Sequence, residues 1–324
     1  MKIVFFFLFS LFLLEAGSFP VNITPSSKTK TFGKIKILDQ KQLMYATIDG
    51  VKFSEISDLA YDAKRQKLYM VSDEGRLFTF KAKFTTNIGG LEPIASAKLK
   101  KRHGKKFKKW RKDSEGMTLD GKGRLLLSFE GKAKVAWFHK NSEKQGEQIH
   151  KYSIPKALRN SKNFRSRNKS LEALAWHKKY GILTVAEWPL KKYNKKRQTL
   201  YALSGKKWHF KAEPEAKSAV SAIEVMDDGN ILVLERSFIS YLEPFVVTLK
   251  KVFLNECKNS NKQKGMCKTE VLLKMNSHQG WDVDNFEGLA RVGKNRYVMI
   301  SDDNDNFFQK TLLIYFEVLG QDEK

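Results

Sequence analysis

The chain of 324 residues is short of most features that assign a chemistry at once. It has two cysteines, Cys257 and Cys267, whose spacing matches no zinc-site pattern. Its six histidines (His103, His139, His150, His177, His209 and His278) form no HExxH arrangement, and no Gly-x-Ser-x-Gly sequence occurs. Zinc-hydrolase and serine-esterase readings therefore lack support. There is no glycine-rich phosphate loop opening a helix, and no long amphipathic helical pattern. Beyond the first residues, no apolar run approaches membrane-spanning length.

The start of the chain is different. Residues 1–14 (MKIVFFFLFSLFLL), followed by Ala16, Gly17 and Ser18, have the basic n-region, short apolar h-region and small residues of a cleavable secretory signal, with cleavage expected near Ser18. The competing reading, an uncleaved anchor, needs a longer apolar run to cross a bilayer. Export to a periplasmic or secreted location places Cys257 and Cys267 in an oxidising compartment. There, one disulfide across the polar run between them is the simplest expectation, with metal binding by an isolated pair the weaker alternative.

The formal net charge is +25, and the leader leaves it unchanged because Lys2 and Glu15 cancel. Much of it lies in residues 98–112 (KLKKRHGKKFKKWRK), 159–169 (RNSKNFRSRNK) and 190–197 (LKKYNKKR). Such runs with interleaved Phe107, Trp110 and Phe164 resemble nucleic-acid patches. In an exported protein they read better as solvated loops, or as a surface attracting anionic lipid, envelope glycan or phosphorylated ligands.

The organising signal is internal repetition. Residues 113–130 (DSEGMTLDGKGRLLLSFE) read as a hairpin with a carboxylate at each open end, Glu115 and Glu130. The pattern recurs at 171–187 (LEALAWHKKYGILTVAE) and 286–302 (FEGLARVGKNRYVMISD), and in all three the first acid precedes the second by 15 residues. Looser copies occur at 57–73, with Ser57 in the first-acid position and a turn one residue longer, and at 221–235, with Ser221 first, Glu235 second and a turn one residue shorter. Each hairpin is followed by further strand-like sequence, at 76–81, 134–139, 199–203, 246–254 and 311–318. Repeats of three or four short antiparallel strands predict an all-β chain folded as a β-propeller of five or six blades. The rival, a β-sandwich plus a second domain, needs a break that the recurring hairpin does not leave. Residues 31–43 are expected to supply the strand that closes the ring. The predicted organisation is a signal peptide at 1–18, an N-terminal segment at 19–49, the propeller at 50–319 and a tail at 320–324.

In a propeller, equivalent hairpins point the same way, so the repeated acids gather toward one face. Glu115, Glu130, Glu172, Glu187, Glu235, Glu287, Asp302 and Asp303, with Asp73 in the looser first copy, form the expected group. Crowded carboxylates need a neutralising partner. Ca²⁺, which accepts several oxygen ligands in flexible geometry, suits them. Equally, each acid can pair with Arg236, Arg291 or a lysine and serve only to join blades. His278, close to Trp281 and Asp282 just before the last repeat, is the one histidine placed for an acid–base role, against the commoner reading of a surface loop residue.

At residues 114–117 (SEGM) with 128–130 (SFE), 171–174 (LEAL), 234–237 (LERS) and above all 284–290 (DNFEGLA) leading to 300–304 (ISDDN), the sequence resembles the phytase-like domain of proteins called "esterase-like activity of phytase". The resemblance spans about residues 50–319. It implies an exported propeller acting as a Ca²⁺-assisted hydrolase of phosphate or carboxylic esters on an anionic substrate, as a monomer. The catalytic candidates are Glu115, Glu287 and Arg236. Ser221 and Ala173 depart from the repeated Glu-Gly pair, which argues against a fully symmetric metal cluster. The alternative is a non-catalytic propeller that binds a glycan, an anionic ligand or a partner protein through its basic loops.

Overall fold

The computed structural model describes residues 16–166, 169–240, 242–258 and 265–320. Most of the leader and residues 321–324 therefore lie outside the described residues, as do Arg167 and Asn168 of the second basic run. Among the described residues, no helix is long and apolar enough to cross a membrane.

The fold is a five-bladed propeller, which settles the expected five or six. Blade 1 comprises Ile56–Asp62, Lys67–Ser72, Arg76–Phe84 and Ile88–Lys98. Blade 2 comprises Ser114–Leu119, Leu125–Phe129, Lys134–Phe138 and Gln148–Tyr152. Blade 3 comprises Leu171–His177, Gly181–Ala186, Arg197–Ala202 and Lys207–Lys211. Blade 4 comprises Ala219–Val225, Ile231–Ser237, Val246–Lys258 and Met266–Asn276. Blade 5 takes Asn285–Gly293, Arg296–Asp302 and Leu312–Val318 from the end of the chain and Ile35–Met44 from its beginning. That last pairing, with Val318 opposite Ile35 and Leu312 opposite Gln42, closes the ring. Gly17–Pro20 then pairs outside Ile35–Met44, so the expected cleavage point at Ser18 falls within a strand.

The five first strands lie against one another in cyclic order around the axis. Between blades, alternate residues of each strand pack in opposite directions, and this is why the apolar runs lack hydrophobic–polar alternation. Leu125 and Leu127 join Leu77 and Val71 of blade 1, whereas Leu126 joins Leu171 and Leu174 of blade 3. Ile231 and Val233 pack on blade 3, and Leu232 and Leu234 on blade 5. The buried side chains accordingly form five clusters, one per blade junction. Burying both faces of every sheet replaces a single central core. Cys257 and Cys267 form a disulfide across the two outer strands of blade 4, where they are register partners.

Around the axis the backbones come too close for ordinary side chains. The residues next to the first-acid positions are Asp58, Gly116, Ala173, Ala222 and Gly288. A Cβ on Gly116 would lie 2.5 Å from Leu174 N and 2.7 Å from Ala173 C in blade 3. One on Gly288 would lie 2.8 Å from Asp58 Cα in blade 1. Asp58, buried at this crowded position, accepts from Leu289 N of blade 5 at 3.0 Å and from Met117 N of blade 2 at 2.6 Å. It thus ties three blades where the first and last repeats meet.

Antiparallel blades place the start of the first strand, the end of the second, the start of the third and the end of the fourth on one face. All blade-to-blade connections and all second-to-third-strand loops share that face. The three basic runs fall in such segments: residues 98–112 lead into blade 2, 159–166 lead into blade 3, and 190–197 join the second and third strands of blade 3.

Because the obstruction at Gly116 is neighbouring backbone, Gly116→Ala is expected to destabilise the fold by about 1–3 kcal/mol. Denaturant unfolding of the variant beside wild type measures this, and equal midpoints would show that the axial strands separate freely.

Candidate functional site: a carboxylate-lined channel mouth

In every blade the first strand carries one extra residue relative to its partner. The register shifts between Ile56 and Asp58, Ser114 and Met117, Leu171 and Ala173, Val220 and Ala222, and Phe286 and Gly288. Ser57, Glu115, Glu172, Ser221 and Glu287 all lie in these bulges. A bulge bends the strand and re-aims a side chain, and here it recurs wherever the repeat carries its first acid.

The second positions follow the residue paired just before each bulge. Phe286 faces Ser301, Leu171 faces Ala186 and Val220 faces Glu235. The next residues, Asp302, Glu187 and Arg236, are therefore equivalent, with Asp73 and Glu130 completing the set. Arg236, not Glu235, stands at the second position of blade 4. Glu235 turns outward to Lys250, whose Nζ lies 2.6 Å from Glu235 Oε1, and its Oε2 accepts from Glu213 N at 2.8 Å. The signal was present in the sequence: Arg236 follows Ser221 by the same 15 residues that separate Glu115 from Glu130, Glu172 from Glu187 and Glu287 from Asp302. Asp303 also points elsewhere, accepting from Glu55 N at 2.9 Å and Thr311 Oγ1 at 3.1 Å.

The remaining groups divide into two halves. On the side of blades 2 and 3, Asp113, Glu115 and Glu130 each present an oxygen within 4.8 Å of the others, and so do Glu130, Glu172 and Glu187. Asp113 lies outside the repeated pair of acids, two residues before Glu115, where only the first copy also has an acid, Glu55. Glu130 Oε1 accepts from Ser170 N at 3.0 Å, and Lys169 Nζ meets Glu187 Oε2 at 2.6 Å. On the side of blades 4 and 5, Arg236 Nη2 donates to Glu287 Oε1 at 2.7 Å, and Asn285 Nδ2 donates to the same oxygen at 2.9 Å. Asp302 Oδ1 accepts from Asn304 N at 2.8 Å. The structure does not bring Glu287 or Asp302 into either carboxylate trio. Arg291 pairs with Asp227, and His278 is exposed on the turn Ser277–Gln279.

Burial and mutual repulsion dominate the electrostatics. Burial and then Glu172 push Glu115 well above the ordinary carboxylate range, and burial and then Glu187 do the same to Glu172. Glu130 rises to about 8 through burial and Asp113, and Asp302 to about 9 through burial and Glu287. Asp73 rises to about 7 through burial and its acidic neighbours Glu55 and Asp113. Burial also leads the rise at Asp113 and Glu287, the latter opposed by Arg236. For Arg236, burial works against the charge, but Glu287, Glu187 and Glu172 more than offset it, so it stays charged.

Three of the acids open to solvent: Asp73, Asp113 and Glu130 line a cleft of about 850 Å³ whose other walls carry Arg111, Lys112, Lys132 and Arg159. Arg236 and Asn285 line an adjoining-face hollow of about 490 Å³ with Lys310. A cavity of about 770 Å³ at the opposite end, beside His177 and Asp228, meets none of these acids. The donor set is all oxygen and mostly buried, which fits Ca²⁺ and suits neither zinc nor a soft metal.

Fold and site define a five-bladed propeller with an acid-lined channel mouth ringed by cations. The chain belongs to the phytase-like family described as esterase-like activity of phytase, whose pattern matches residues 51–305. No curated protein matches the sequence. Among solved structures, the chain is similar to catalytically inactive virginiamycin B lyase from Staphylococcus aureus with quinupristin, at 8% identity over 94% of this chain and 100% of that one, TM-score 0.44. It is also similar to the PQQ-bound aldose sugar dehydrogenase of Streptomyces coelicolor, at 11% identity over 88% of this chain and 98% of that one, TM-score 0.45. The β-propeller domain of Swd1 from Myceliophteria thermophila is similar at 9% identity, over 83% of this chain and 98% of that one, TM-score 0.38.

A carboxyl whose folded pKa is raised stabilises the fold below its unfolded pKa of about 4 and loses that contribution as pH rises through its folded value. Asp73, Glu130 and Asp302 therefore define a window from about pH 4 to about pH 9. In metal-free buffer the melting temperature is expected to fall across this window. A melting temperature that rises steadily over it would show that the acids are ionised and paired.

Proposed function

We propose that the protein is an exported hydrolase of anionic esters that uses Ca²⁺ at the acid-lined mouth. The observation supporting this most is the charge imbalance. Eight carboxyls (Asp73, Asp113, Glu115, Glu130, Glu172, Glu187, Glu287 and Asp302) face the channel mouth with Arg236 and Lys169 as the cations within them. Protons or a divalent cation must supply the balance. The disulfide is consistent with an oxidising, extracytoplasmic location.

Asp113, Glu115, Glu130, Glu172 and Glu187 would hold the cation. When bound, it would polarise an ester oxygen and lower the pKa of a water. Arg236 is oriented by Glu287 and Asn285 and faces the hollow on the same side, where it would hold the anion that develops at phosphorus or the acyl carbon. Glu287 is then a positioning residue for Arg236. A bound cation would favour the ionised form of Glu115, which would then take a proton from the attacking water, and Asp302, protonated near neutral pH, would give one to the departing alcohol oxygen. Water adds to the phosphoryl or acyl centre and the ester bond breaks. The cationic walls Arg111, Lys112, Lys132 and Arg159 would draw a negatively charged substrate to the cleft.

Calcium titration by calorimetry, with turnover on a panel of phosphate and carboxylic esters, tests this reading. Glu130→Gln, which removes the carboxylate shared by both trios, should weaken calcium binding on the order of tenfold or more. Glu287→Gln should leave calcium affinity nearly intact while lowering turnover. Wild-type protein that binds no calcium ends the metal assignment. Binding without turnover favours a non-catalytic propeller.

A further inference from the structure

A second site lies beside the acid cleft. A cavity of about 350 Å³ opens between the basic segment leading into blade 2 and that blade's outer strands. Seven Lys and Arg side chains line it, among them Lys101, Arg111, Lys132, Lys134 and Lys151, together with Phe107 and Gln148 and no carboxylate. Arg111 and Lys132 also line the acid cleft, so the two open side by side.

Lys134 is buried and Arg111 half-buried, and neither meets an anion among the described residues. Lys134 is 8% exposed, and its Nζ sits 3.6 Å from the ring centre of Phe129 and 3.8 Å from that of Phe107. Among the described residues it has no carboxylate or hydrogen-bond partner. The Arg111 guanidinium stacks on Trp110 at 4.5 Å, and its Nε is buried with no acceptor. The nearby Glu147 is engaged by His103 N at 2.8 Å. The repeat supplies an internal control. Lys134 begins the third strand of blade 2 opposite Phe129, as Arg76 begins that of blade 1 opposite Ser72. Arg76 lies 3.6 Å from both Glu55 and Glu74. Blade 2 keeps the cation, but Gly131 stands where blade 1 has Glu74, and Asp113, at the position of Glu55, joins the carboxylate trio with Glu115 and Glu130 instead.

Unpaired cations gathered in one cavity repel and resist desolvation. Burial, then Lys151 and Lys101, push Lys134 down to about 7. An arrangement costly when empty and complementary to an anion is the signature of a binding site. We infer that this pocket is a preformed site for a tetrahedral oxoanion, a phosphate or sulfate group, seated between Lys134 and Arg111. Phe107 supplies its apolar wall, with Phe129 buried beneath Lys134. The site shares Arg111 and Lys132 with the acid cleft, but none of its lining residues is a carboxylate and it requires no metal.

The test uses the full chain in metal-free buffer of fixed ionic strength, with inorganic phosphate and a sulfated oligosaccharide as probes. Wild type should bind at least one probe by calorimetry and melt higher in its presence. Phosphate binding identifies a site for the free oxoanion, and binding of the oligosaccharide alone identifies one for a sulfate ester carried on a glycan. Lys134→Met keeps the apolar stem over the two rings and removes one charge from a chain of +25. General attraction to a basic protein would hardly notice that loss, whereas the pocket should lose affinity on the order of tenfold or more. The variant should also melt higher than wild type without probe, because a buried unpaired cation is gone. The double variant Lys101→Gln/Lys151→Gln, at the cavity's rim, gives a second measure if Lys134→Met folds poorly. Wild type that binds neither probe, or variants that bind as tightly as wild type, would overturn the assignment.

Discussion

Five strands wrapped round one axis must approach one another more closely than side chains ordinarily allow, and the rest of the molecule follows from how each blade meets that constraint. Gly116 and Gly288 remove the obstructing Cβ, Ala173 and Ala222 keep it small, and Asp58 uses the close approach to accept amides from both neighbours. Immediately before these residues each strand bulges, and the bulged residue is Ser57, Glu115, Glu172, Ser221 or Glu287. Close packing and the aiming of the repeated acids are thus two consequences of one local distortion.

Antiparallel topology adds the second layer. The face that receives the acids also receives the blade-to-blade loops, and those loops carry the long basic runs. An acidic mouth inside a cationic rim results, in a protein whose net charge alone would describe only the rim. Arg236 carries the same contrast into the channel itself, as a cation at a position where the other four blades present a carboxylate. It divides the ring into an ion-paired half and a half whose acids face one another.

Much of the fold was legible in the sequence because it depends on local patterns. Turn chemistry such as Asp120-Gly121-Lys122-Gly123, apolar runs of strand length and a hairpin recurring five times define small antiparallel sheets in series. Gly123 adopts a positive φ of 70°, as its turn demands. The blade number stayed open between five and six because strand spacing does not determine how many sheets close a circle. The site was legible only in part. Spacing marks Glu115, Glu130, Glu172 and Glu187 as equivalent repeat positions, and their oxygens fall into two neighbouring trios. At blade 4 residue type points to Glu235, whereas the 15-residue interval of the three strict copies leads from Ser221 to Arg236.

The sequence by itself determined the all-β repeat, the equivalence of its hairpins, the closing strand near residues 31–43 and the partnership of Cys257 with Cys267. Each follows from spacing, periodicity or the scarcity of alternatives. Only the tertiary structure decided which carboxylates face one another, that Asp113 joins them, that Asp303 and Glu235 turn away, and that Lys134 is buried over two aromatic rings without an anion. Those facts depend on register and on contacts between blades distant in sequence. A shift of one residue exchanges the faces of a strand, and no local pattern records what the neighbouring blade presents.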